Sequence, residues 1–210
     1  MKKNIKKRMI YSLVTGVFIT LAFICVSAVG AYSNEVVNSI SQKTMRIQVI
    51  ADSDSEYDQA MKMLVKKAVT DKVKKICKSC TDKNQYFKAV SENSEEIEKT
   101  AKAVCDNVNY NKDIKVTVGT MYFPKKANEK YVFPAGNYDA LRVEIGKAKG
   151  HNWWNLLYPP EFDNNEKYSC KDILDNSEYS LVTCEKYKTS KVKIRFAIVD
   201  WWQGKKSNKK

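Results

Sequence analysis

Residues 9–32, MIYSLVTGVFITLAFICVSAVGAY, run for 24 positions without a charge, directly behind Lys2, Lys3, Lys6, Lys7 and Arg8. About 20 consecutive apolar residues cross a bilayer as a helix, so this run constrains the chain more than any other stretch. Basic flanks stay on the cytoplasmic side, which places the rest of the chain outside the cytosol. Ala28-Val29-Gly30 offers the small-x-small pattern of a signal-peptidase site, but the apolar region exceeds the roughly 7–15 residues of a cleaved signal. Residues 1–32 are therefore read as a signal peptide or an uncleaved anchor. Cys25 follows Ile24 rather than a small residue, which argues against lipid attachment. A buried core helix is disfavoured by the cationic flank.

The net charge is +13, and the five N-terminal cations account for part of it, leaving +8 for the remainder. A basic surface attracts nucleic acid, anionic lipid or acidic partners. Export removes nucleic acid from that set, and the tail GKKSNKK (204–210) together with one lysine-rich helix carries much of the excess. Five cysteines lie beyond the apolar run: Cys77, Cys80, Cys105, Cys170 and Cys184. An odd number leaves at least one without a partner in the chain, and their pairing stays open. A reactive C-x-x-C pair sits at a helix N-terminus, where the thiol pKa falls; Cys77 and Cys80 fall at the end of a predicted helix. Zinc would need a second pair or histidines, and His151 is the only histidine.

Residues 33–43 read as a short polar tether before a domain spanning 44–203. MRIQVI alternates Arg46 and Gln48 with Ile47 and Val49, the period of a strand. It runs into ADSDSEYDQA, where Asp and Ser supply helix caps and Asp58 suits the first turn. A helix over 56–78 follows, with Leu64, Val65, Val69, Val73 and Ile76 on its apolar side. A second helix is predicted over 84–108, its outer face acidic at Glu92, Glu95, Glu96 and Glu98, to complement the lysines of the first. Strands are predicted in DIKVTVGTMYF, YDALRVEIG, SEYSLVTCEKY and KVKIRFAIVDWW, with a turn at Pro134–Gly136 and a loop over 161–169. The order is β-α-α-β-β-loop-β. That gives an α+β class: two helices on a mostly antiparallel sheet, behind one N-terminal transmembrane or signal segment.

Catalytic chemistry is hard to find in these residues. Asp52-Ser53 is followed by Asp54 where an aspartic protease would place glycine. A cation site from Asp52, Asp54 and Asp58 is conceivable, but helix capping explains every Asp and Ser there and is preferred. His151 as a general base oriented by Asp52 or Asp163 has no sequence support. No nucleophile elbow, phosphate loop or zinc pattern occurs. No catalytic residue, metal ligand, cofactor or small-molecule substrate is assigned.

Three stretches, RIQVIADSDSEYDQAMKMLVKKAV (46–69), FPAGNYDALRVEIGKAKGHNWWNLLYPP (133–160) and VKIRFAIVDWWQ (192–203), resemble the stage II sporulation protein R family. The resemblance covers most of 44–203 and implies a signalling role. The protein would be exported from the forespore into the intermembrane space and there trigger a membrane-embedded aspartic protease of the mother cell, stage II protease GA, which processes the pro-form of sigma-E. It implies an activator and not an enzyme, with the membrane met only through the N-terminal segment. Within the matching stretches, Asp52, Ser53, Asp54, Ser55, Asp58, Arg142, Asn152, Trp153 and Trp154 are the candidate partner-binding residues. This chain departs from the family pattern at Gln48 (commonly His), Asp52 (Asn), Glu56-Tyr57 (Pro-Glu), and Asn155 and Phe162 (often Cys). A disulfide or metal role for the last pair is therefore absent here, unless Cys170 and Cys184 take it over by another route.

The adjacent Trp153 and Trp154 pose a packing problem, because neighbours on a strand face opposite ways. One ring is expected in the core with Leu141, Val143 and Phe196. The other covers a second apolar pocket or meets a partner, since Trp is enriched among binding hot spots. Two rival functions are an envelope hydrolase using Asp52, Asp54 or His151, and a scaffold held to anionic lipid by lysines.

Overall fold

The computed structural model describes residues 2–127, 131–160 and 169–183, and side chains outside 2–10 and 29–33 within them. Residues 161–168 of the predicted loop, Cys184, Phe196 and the strand predicted over 191–202 with Trp201 and Trp202 lie outside the described residues. Helix α1 (Lys2–Lys43) contains the apolar run, and Tyr11–Ala28 is long and apolar enough to cross a membrane and is not buried against the rest of the chain. Residues 33–43, expected as a polar tether, instead complete α1: Val37 and Ile40 are buried against the domain. Polar spacing masked an apolar pair one helical turn apart.

Strand β1 (Met45–Ile50) leads through the Asp/Ser turn into α2 (Glu56–Ile76). The predicted 84–108 helix is two, α3 (Lys83–Glu92) and α4 (Ser94–Asp106). Asn93 divides them: its side-chain amide donates to the Ala89 carbonyl at 2.7 Å, competing with the helical ladder as Asn commonly does. Then come β2 (Ile114–Phe123), a short hairpin β3 (Lys126–Ala127) and β4 (Val132–Phe133), β5 (Gly136–Ile145) and β6 (Asn152–Tyr158). The chain continues into α5 (Cys170–Ile173) and α6 (Asn176–Val182). The strand expected in SEYSLVTCEKY is thus a helix as far as Val182. Asp175 and Glu178 form a reciprocal capping box, and that device nucleates a helix.

The main sheet runs β2-β5-β1-β6. β1 is parallel to β5, while β2/β5 and β1/β6 are antiparallel, so the α+β class with a mostly antiparallel sheet and an apolar N-terminal helix is what the chain adopts. One face carries Met45, Ile47, Val49, Leu141, Val143 and Ile145, packed under Met61, Val65, Val69 and Val73 of α2 and Ile97 and Ala101 of α4. Each of these side chains larger than alanine contributes about 1.5–3 kcal/mol when fully buried. Leu64, expected on the apolar side of its helix, is exposed. The Lys72–Glu96 ion pair joins α2 to α4, but Lys62 is buried rather than on a solvated face. Register slips by one residue between Met45 and Arg46, and Leu157 and Tyr158 both turn into this core.

The opposite face packs a second core. Phe123, Tyr138, Ala140 and Leu156 of the sheet meet Ile40 of α1, Phe133 of the hairpin, and Cys170, Leu174 and Val182 of the last two helices. Glu178, buried, accepts from Ser39 Oγ and from Lys43 Nζ at 2.6 Å, tying α6 to the end of α1.

Candidate functional site

The segment 51–58 joins β1 to α2 and is held on every side by groups of this chain. Ser55 caps α2, accepting from the Asp58 amide at 3.1 Å. Asp58 sits in the first turn, where a carboxylate complements the helix dipole, and accepts from Tyr110 Oη at 2.6 Å and from Ser53 Oγ. Those two hydroxyls hold the Asp58 carboxyl below its usual value. Burial and the facing Asp58 push the Tyr110 phenol well up. Asp52 accepts from the Lys147 amide at 2.6 Å and pairs with Lys112 Nζ at 2.8 Å; Lys112, then the amide, lower its pKa.

The β5–β6 turn closes over the same segment. Gly150 N donates to Ala51 O at 3.0 Å and Lys149 N to Asp52 O at 3.2 Å. Gly146 has φ +55°, and a Cβ on Gly150 would stand 2.1 Å from the Ser53 carbonyl oxygen. Both glycines are required by close approach of the two turns. Asp54 accepts from His151 twice, at 2.5 Å from the amide and 2.6 Å to ring Nδ1, and these contacts lower the Asp54 carboxyl. Lys62 Nζ reaches the His151 carbonyl at 3.0 Å. His151 is therefore beside Asp54, not Asp52, and its ring is on the surface; Asp163 lies outside the described residues.

Asp52, Ser53, Asp54, Ser55 and Asp58 thus form one clamped turn, joined to Asn152 through its neighbour His151. Each carboxylate faces a different set of donors. Among the described residues no group of three His, Cys, Asp or Glu side chains converges as a metal site would need. Cys77 is buried at the end of α2, where burial and the neighbouring Cys80 push its thiol up to about 12, the opposite of an activated cysteine.

The tryptophans divide as alternation requires. Trp153 packs on the helix-side core with Lys66 Nζ 4.6 Å from its ring centroid. Trp154 joins the opposite core, its ring 6.4 Å from Phe133. Both are half-buried. Arg142 lies on the Trp154 side, its Nε donating to Gln48 Oε1 at 3.1 Å; strand pairing places Gln48 between Arg142 and Trp154. Position 48 here supplies an acceptor, which an imidazole nitrogen would also supply.

Sequence reasoning missed Arg46. It was expected to alternate outward, yet it is fully buried. Its Cζ lies over the rings of Phe123 (4.4 Å), Trp154 (4.6 Å), Tyr138 (4.9 Å) and Phe133 (5.9 Å). Nε, Nη1 and Nη2 have no acceptor among the described residues. Burial lowers its pKa to about 10, so it remains a cation at neutral pH. The available signal was the aromatic content of TMYF, VFPAGNY and WWN, which supplies a second apolar face.

The family model described as Stage II sporulation protein R (spore_II_R) matches residues 41–165. The stage II sporulation protein R of Bacillus subtilis (strain 168) is 26% identical over 181 residues, covering 77% of this chain and 81% of that relative. No solved structure matches significantly.

Proposed function

The chain belongs to the stage II sporulation protein R family and has a role in sporulation, and on that premise we propose that it is an exported signal that activates a membrane-embedded aspartic protease. That protease, stage II protease GA of the mother cell, then processes the pro-form of sigma-E. The protein leaves the forespore through residues 1–32 and acts in the intermembrane space. The observation that carries the reading is the family match over 41–165, which takes in the Asp/Ser turn, the Trp pair and most of both cores.

Activation is a binding event in this reading: the domain must bind the active form of the protease more tightly than the inactive form, since equal affinity shifts no equilibrium. The acidic turn supports recognition over hydrolysis, because its carboxylates are engaged by Lys112, Tyr110, the Lys147 amide and His151. Asp52, Ser53, Asp54, Ser55 and Asp58 shape the end of the sheet where β6 begins at Asn152, with Trp153 on the helix side and Arg142 and Trp154 on the other.

The test is co-expression of the chain with the protease and the pro-sigma factor. Processing is expected only when both proteins are present and is lost when residues 1–32 are deleted. Processing by the protease alone at the same rate, or peptide or wall-fragment turnover by the purified chain that disappears in Asp54→Ala, refutes the reading.

A further inference from the structure

A guanidinium is costly to bury unless it is paired. Arg46 is buried, and its three nitrogens find no acceptor among the described residues. Ring faces offset part of that cost through cation–π attraction, but they meet the faces of the group and leave its in-plane N–H bonds unused. Its cage is also uneven. Phe123, Phe133 and Tyr138 are buried, whereas Trp154 is half-exposed, so Trp154 is the wall that borders solvent. On the same face Arg142, partly exposed, brings a second guanidinium carbon to 6.0 Å from the Phe123 centroid. Gly119, beside Ala140 on the neighbouring strand, has open space above it.

From this geometry we propose that Arg46 is the receptor for one carboxylate of the partner protein, with the Trp154 ring as the wall that yields to admit it. The inference rests on the activator reading for where the carboxylate comes from. The guanidinium fork matches a planar carboxylate with two parallel hydrogen bonds, and a flat acceptor fits between ring faces better than a tetrahedral phosphate. Arg142, partly exposed on the same face, adds a second cation beside the cage, and its bond to Gln48 fixes its position. Entry exchanges a ring contact for charge-assisted hydrogen bonds, and a site that lacks an acceptor before binding gains most from one.

Two experiments test it on the full chain in non-ionic detergent micelles. The first follows the Arg46 Nε–Hε resonance of the protein labelled at its four arginines, identified by its loss in Arg46→Met. Sodium acetate is expected to shift it saturably, sodium chloride at equal ionic strength is not, and Trp154→Ala is expected to tighten acetate binding severalfold. A shift that does not saturate, or that chloride reproduces, overturns the proposal. The second repeats the co-expression assay with Arg46→Met and Arg46→Lys. The Met variant should keep the wild-type circular dichroism and melting midpoint while processing falls at least tenfold, because an apolar chain of similar length fills the cage and cannot bind the acid. Should the Met variant not fold, Arg46→Lys, which keeps the charge but loses the fork, is the variant scored, with the same fall expected. Undiminished processing by the folded variant overturns the proposal. Saturable acetate binding with no processing by the wild-type chain refutes the activator reading instead.

Discussion

Replacing Asp58 by Ala removes the acceptor at the centre of the 51–58 turn. Two donors lose their partner, Tyr110 Oη at 2.6 Å and Ser53 Oγ, and Tyr110 is only 4% exposed, so water cannot readily take the vacated place. Hydrogen bonds to a charged group contribute about 1.5–3 kcal/mol each. A carboxylate in the first turn of a helix adds roughly 0.3–1 kcal/mol. The expected loss is about 3–7 kcal/mol, or a fall in Tm of roughly 6–28 °C for a chain of this size. Tyr110→Phe should cost about 1–2 kcal/mol, since Asp58 keeps Ser53 and the helix end. The double mutant then gives a coupling energy of roughly 1.5–3 kcal/mol. Guanidinium chloride unfolding of the full chain in detergent, followed by tryptophan fluorescence, measures all four proteins. A loss below about 1 kcal/mol in Asp58→Ala, or zero coupling with Tyr110→Phe, refutes the account of the turn as a hydrogen-bonded clamp.

Gly150→Ala should destabilise by about 1–3 kcal/mol, because the new methyl meets the Ser53 carbonyl at 2.1 Å and neither backbone can withdraw cheaply; thermal melts against Gly16→Ala as a control measure it. Asp52, Asp54 and Asp58 are all held below their ordinary value, so the native state binds fewer protons than the unfolded chain in acid. The stability they confer is fully present above about pH 4 and is lost as pH falls through the native values. Melting curves from pH 7 to pH 3 should show that limb, and Asp52→Asn, which keeps an acceptor for the Lys147 amide but loses the Lys112 pair, should flatten it. Cys77, buried with its thiol pushed up to about 12, should react with iodoacetamide at pH 8 more than about tenfold slower than Cys80, and equally fast in denaturant; mass spectrometry of the labelled peptides checks this.

Local pattern made β1, α2 and the Asp/Ser caps legible, because Ile47 and Val49 alternate cleanly and Ser55 precedes a long helical stripe. The α3–α4 break was hidden because Asn93 acts through one side-chain bond to Ala89, which periodicity does not register. Tyr179 and Val182 suit a strand by propensity, but the capping box at Asp175 and Glu178 overrides it. Sheet order was unreadable for another reason: placing β1 between β5 and β6 depends on pairing across 94 to 113 residues of chain. In the candidate site, the acidic turn was legible as caps, but its partners Tyr110, Lys112 and Lys147 arrive from other elements. Arg46 was misjudged because alternation names two faces without saying that both are covered.

Because α1 runs unbroken from its apolar segment to Lys43 and buries Val37 and Ile40 in the domain, the protein has no slack between that segment and the fold. At about 1.5 Å per residue, Ile40 stands roughly 18 Å beyond Ala28 along the axis. An uncleaved chain would therefore present its domain as a stiff post of set height and heading, able to sweep the membrane plane but not to reach far above it. A cut near Gly30 would free the post from its base yet leave its docked upper turns in place. The two fates would then release the same folded head into very different search volumes, one nearly flat and one three-dimensional.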